Sequence, residues 1–263
     1  MNRDNLVWGI LLILAGFLFM GNSLDIIDIN VWGLIWPIGL IAFGLSILWG
    51  YFNDSPEVDV ENLAIPVEGT RAAAVTIAYG AGVLDLSAGA EDGHILDARL
   101  AGGAKWDVTR TGDRANIKLE REWQLQNLTN WQKEANEWQI RLSRQIPFTL
   151  KVEGGASQTT LDLRDLLVRE LDVGTGASQL SVTLPAGAGA TKAHFGAGLA
   201  QLNITVPDGV AARIKSDSGL ADINVDESRF PRLDKGYESS DYATAVNRVD
   251  IHLETGLGSV KVY

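Results

Sequence analysis

The 263-residue chain has a formal charge of −11 and a pI near 4.7, an acidic balance that argues against nucleic acid as a partner, since binding it requires a basic face. It contains no cysteine, which excludes disulfides, thiolate chemistry and Cys-ligated metal sites. With 28 glycines, 7 prolines and 46% apolar residues, its composition is that of a turn-rich β protein rather than a disordered one.

The first element is a pair of uncharged runs, Leu6 to Met20 and Val31 to Phe52. The second is long enough to cross a bilayer, which takes about 20 residues. The first is shorter, but no small-residue cleavage site follows it, and a second apolar run comes soon after. The pattern predicts a two-helix transmembrane hairpin over residues 1–52. A signal peptide followed by an anchor, or two buried core helices, are the alternatives. Trp8 and Trp49 fall at the outer ends of the runs, and Trp32 and Trp36 near the inner turn. A hairpin gathers these four into two interfacial belts, where indole rings anchor well in the lipid bilayer. Arg3 is the basic residue nearest the runs, whereas the turn carries Asp25 and Asp28. The positive-inside bias then puts the N-terminus in the cytoplasm, and after two crossings the rest of the chain as well. The expected location is the cell membrane, multi-pass, with a cytoplasmic β domain. Residues 53–63, rich in acidic groups, read as a linker.

Residues 64–263 read as one β domain, in which strand-like alternation dominates from Ala73 onward and a phrase repeats. "YGAGVLDLSAG" starts at Tyr79, "GGASQTTLDLRDL" at Gly154, "GTGASQLSVTLP" at Gly174 and "GAGLAQLNITVP" at Gly196. "DSGLADINVDE" starts at Asp217 and "TGLGSVKVY" at Thr255. Leu163, Val182, Ile204 and Val225 recur at steps of 19, 22 and 21 residues, and Val262 follows after 37. A step near 20 residues marks stacked units, each too small to bury its apolar side chains alone. The fold expected is mainly β, a single-stranded β-helix or solenoid of ~20-residue rungs. A β-sandwich with regular turns is the alternative. The Gly-x-Gly knots are not phosphate cradles, because each leads into a strand and not into a helix N-terminus. They read as corners where small residues let rungs stack.

Residues around 122–138 break the pattern. Leu125, Leu128, Trp131, Ala135 and Trp138 step as an amphipathic helix, after which Trp138, Ile140 and Leu142 alternate as a strand. Trp123, Trp131 and Trp138 either cap the solenoid or dock a partner, since tryptophan is enriched in interface anchors. His94, His194 and His252 are isolated in sequence, without metal-ligand spacing. Asp85, Asp162, Asp222 and Asp250 alternate with apolar neighbours, which places them on a solvated outer face. No catalytic residue, metal site or cofactor is expected.

The stretch from Trp138 to Pro185 resembles the C-terminal domain of LiaF-like cell-envelope stress proteins, the toast-rack β domain. The stretch from Gly236 to Val262 is similar to the end of such a domain, and the hydrophobic hairpin to the membrane segment fused to it. The resemblance implies a bacterial, non-enzymatic membrane protein in the response to cell-wall-active antibiotics. The best-known members restrain a sensor histidine kinase and carry more membrane helices than the two apolar runs here. The leading expectation is therefore a membrane-anchored interaction module in envelope-stress signalling. A scaffold that self-assembles into a homo-oligomer through strand edges is the second. A polysaccharide-directed enzyme or adhesin comes last, because short rungs leave little room for a cleft.

Overall fold

The computed structural model describes residues 39–41, 44, 60–121 and 137–263. Two compact units are distinguished, Met1–Glu57 and Val58–Tyr263. In the first, Gly39–Ile41 and Gly44 are helical. Among the described residues no helix is long and apolar enough to cross a membrane. Trp8, Trp32, Trp36 and Trp49, and with them the expected hairpin, lie outside the described residues, as do Trp123 and Trp131.

Among the described residues of the second unit the regular elements are strands: β1 Val60–Pro66, β2 Ala72–Ala88, β3 His94–Ala101, β4 Ala104–Thr111, β5 Arg114–Arg121, β6 Glu137–Leu142 and β7 Pro147–Asp162. There follow β8 Leu167–Thr183, β9 Ala190–Thr205, β10 Ala211–Val225, β11 Arg232–Leu233, β12 Gly236–Glu238 and β13 Arg248–Val262. They join one sheet in the order β1-β3-β6-β2-β7-β8-β9-β13-β10-β12-β11, with β4 and β5 beside β2. The long strands β2, β7, β8, β9, β13 and β10 are parallel and in register over nearly their whole length.

Each long strand turns at its glycine knot. In β8 the buried residues are Val168, Leu171 and Val173 before the knot, then Leu180 and Val182 after it. The parity switches, so both halves send their apolar side into a single core. Stacked rungs line up Leu161, Val182, Ile204, Val262 and Val225 in one column.

This register corrects the sequence reading twice. Val182 pairs with Leu161 and not Leu163, a two-residue slip that leaves every side chain on its face because the strand period is two. The last rung, β13, lies between β9 and β10 and not beyond β10. The chain leaves β10, makes the small β11–β12 excursion, and inserts β13 beside β9.

The knots stack into a ladder. A Cβ at Gly155 would lie 3.0 Å from the Gly80 carbonyl oxygen, at Gly176 3.1 Å from that of Gly155, and at Gly198 3.1 Å from that of Gly176. The series continues at Gly256, 2.8 Å from Gly198 O, and at Gly219, 3.1 Å from Gly256 O. Close approach of neighbouring corners thus requires glycine here, and each knot faces its neighbour's backbone and not an anion.

The Trp-rich segment also resolves in part. β5 pairs with the first half of β2 and β6 with its second half, so together they form one rung interrupted by residues 122–136. Trp138, Ile140 and Leu142 are fully buried on β6, as their alternation predicts. Trp138 therefore ends no helix and offers nothing to a partner. Its indole Nε1 donates to the Ala101 carbonyl at 3.2 Å, inside the core. β1 begins at Val60, within the stretch read as linker, and Glu61 there accepts a bond of 2.8 Å from Trp106 Nε1. Acidic residues hid the alternation of that strand.

Candidate functional site

The outer face of β8, β9, β13 and β10 carries polar side chains in rows, because parallel strands in register place equivalent positions side by side. One row runs Glu170, Lys192, Asp250, Arg213. Its charges alternate in sign, which avoids like-charge repulsion between neighbouring rungs. The next row runs Asp172, His194, His252, Lys215. Beyond it, Glu254 lies between Gly196 and Asp217. The first two rows line an open groove of about 560 Å³.

At the centre the imidazoles of His194 and His252 stack, with ring centroids 5.5 Å apart and planes 19° from parallel. His194 Nδ1 bonds Asp172 Oδ1 at 2.9 Å. Glu254 Oε1 sits between the two rings, 3.0 Å from His252 Nε2 and 3.5 Å from His194 Nε2. Asp217 Oδ2 is 3.6 Å from His252 Nε2. Gly196 beside Glu254 carries no side chain, which leaves the carboxylate room to lean toward both rings.

The hydrogen bond that His194 Nδ1 donates to Asp172, reinforced by the charges of Asp172 and Glu254, holds the imidazolium above the ordinary histidine value despite partial burial. Glu254, bonded first to His252 and then to His194, lies below the usual carboxylate range. A raised histidine pKa contributes stability that is present below the unfolded value, about 6.5, and is lost as pH rises through the folded value. The lowered Glu254 acts in the opposite sense, losing its contribution as pH falls through its folded value. With a chelator present, the Tm advantage of wild type over His194→Gln is expected below about pH 6.5 and should close as pH rises. A constant difference across pH would contradict the assignment. The effect is small because the ring is 41% exposed.

His194 and His252 look isolated because 58 residues separate them; only the insertion of β13 beside β9 makes them neighbours. His94 stands apart on β3, bonded through Nδ1 to Asp97 at 2.7 Å. Asp85 pairs with Arg141 at 2.5 Å, and Asp162, Asp222 and Asp250 are exposed, as their alternation predicts. Tyr242 is buried under Arg213, whose guanidinium sits 4.1 Å from the ring centroid. Burial, then Asp250, pushes the Tyr242 hydroxyl up to about 12.

A second surface feature lies just past the glycine ladder. Leu199, Leu257 and Leu220 are side by side on β9, β13 and β10, and are 56%, 49% and 82% exposed. Three large apolar side chains in one exposed row form a contiguous patch, which scattered surface leucines do not.

Residues 54–205 match the family model for the N-terminal domain of toast_rack, DUF2154. Residues 6–48 match the LiaI-LiaF-like transmembrane region. No curated protein matches the sequence. Among solved structures, a candidate cell adhesion protein from Clostridium sporogenes is similar at 18% identity and a TM-score of 0.68, over 78% of this chain and 99% of that one. A candidate adhesin from Bacteroides fragilis covers 78% of this chain and 97% of its own at 10% identity, with a TM-score of 0.24 that bears no weight. The first of these likenesses concerns the fold alone.

Proposed function

The chain belongs to the LiaF-like toast-rack family of cell-envelope stress proteins, and from that premise we propose that it is a non-enzymatic, membrane-anchored regulatory module. A two-helix hairpin holds it in the bilayer, with the β domain on the cytoplasmic side as Arg3 directs. The domain then docks a membrane partner of the signalling machinery, such as a sensor histidine kinase.

The observation that carries this reading is the exposed row of Leu199, Leu257 and Leu220 on a rigid parallel scaffold. An apolar patch of this kind marks an interaction surface.

Complementation tests it. The triple variant Leu199→Ser, Leu220→Ser, Leu257→Ser removes surface side chains, so each change should alter stability by no more than about 0.5 kcal/mol. It is expected to accumulate to wild-type level yet fail to restore the antibiotic-stress response of a deletion strain. Full restoration would remove the leucine row from the account.

One observation favours a second reading, self-assembly at the membrane. Among the described residues the second half of β10, Gly219 to Val225, pairs only with β13, while β12 covers only Arg213 and Ile214. An open strand edge is a template for another chain. A single concentration-independent species by sedimentation in detergent would argue against it.

A further inference from the structure

We propose that His194, His252 and Glu254 form a binding site for a divalent transition-metal ion, of which Zn²⁺ is the best fit, on the outer face of the solenoid. The inference is independent of the regulatory reading. One atom from each of the three side chains lies within 4.8 Å of the others. Two imidazole nitrogens and one carboxylate oxygen suit zinc and its neighbours, whereas magnesium and calcium take oxygen ligands throughout.

The tautomer of His194 is already set for the task. Its Nδ1 faces Asp172 Oδ1 at 2.9 Å, so the neutral ring carries its proton there and turns the Nε2 lone pair toward Glu254. A carboxylate behind a histidine ligand fixes the ring and raises its basicity, as it does in established zinc sites. On the next rung His252 presents Nε2 to the same Glu254 oxygen at 3.0 Å, while Asp217 Oδ2, 3.6 Å from that nitrogen, lies outside the three-residue set. The in-register pairing of β9 with β13 holds the backbones of all three, so closing on an ion takes side-chain rotation alone. The rings are 41% and 39% exposed, which gives an ion direct entry. It also leaves room for water or a partner's side chain in any remaining coordination position.

Calorimetric titration of Zn²⁺ into the chelator-stripped full chain in detergent tests this. One saturable site is expected. His194→Ala and His252→Ala should each weaken binding by at least about tenfold, and Asp172→Asn, which touches no ion, by about 10- to 100-fold. His94→Ala, on a distant strand, should leave affinity unchanged. Melting of each variant in chelator checks that it folds. Should a variant melt early, Co²⁺ titrated into the wild-type chain reads the site directly, by selective broadening of the His194 and His252 ring signals. The proposal is overturned by an absence of saturable binding, by binding that survives the double His194→Ala, His252→Ala substitution, or by broadening centred elsewhere.

Discussion

Gly258→Ala is expected to destabilise the β domain by about 3 kcal/mol or more, a Tm loss of roughly 6–12 °C for a domain of this size. Two independent costs coincide there. Gly258 has φ +130°, which side chains other than glycine rarely adopt. A Cβ would also fall well inside contact with the Ala200 carbonyl oxygen and 2.9 Å from its carbon. Ala200 is the in-register partner of Gly258 on β9, and β13 is clamped between β9 and β10, so neither backbone can retreat alone. Gly174→Ala is the matched control. It lies in a knot of the same wording, yet nothing stands within 4 Å of its Cβ position and its φ is not positive. Its expected effect is within about 0.5 kcal/mol. Thermal unfolding followed by near-UV circular dichroism compares the two. Equal losses would show that the knots are constrained by something other than stacking.

Trp138→Ala is expected to cost about 3–5 kcal/mol. The indole is 1% exposed, lies 6.4 Å from the Tyr79 ring between centroids, and donates to Ala101 O. Truncation leaves a large void where β6 joins β2 to the antiparallel β1–β3 end. Trp138→Phe recovers much of the volume but loses the N–H bond, and is expected to cost about 1–3 kcal/mol. A variant as stable as wild type but defective in partner binding would reverse the assignment of Trp138 to the core.

These two residues show where the sequence was legible. Strand alternation at Trp138, Ile140 and Leu142 was read correctly, because burial on one face leaves a period of two whatever the pairing partner. The helical step predicted before it shares only Trp138 with that alternation, and the structure assigns Trp138 to the strand; Leu125, Leu128, Trp131 and Ala135 lie outside the described residues. Rung spacing was legible because each rung must bury the same column. The order of rungs was not, since β13 is as good a neighbour for β9 as β10 is, and nothing local to either strand distinguishes them. That one uncertainty hid the candidate site. With β10 next to β9, His194 would face Lys215; with β13 inserted, it faces His252 and Glu254. The leucine row was hidden likewise, as Leu199, Leu220 and Leu257 become one patch only when the three strands are set side by side.

The dose–response of an envelope-stress transcriptional reporter to a cell-wall-active antibiotic, with and without this chain, tests the account most directly. A regulator that docks a signalling partner predicts a displaced threshold or altered amplitude in the deletion strain, restored by the full chain. Superimposable curves across the whole dose range would contradict it.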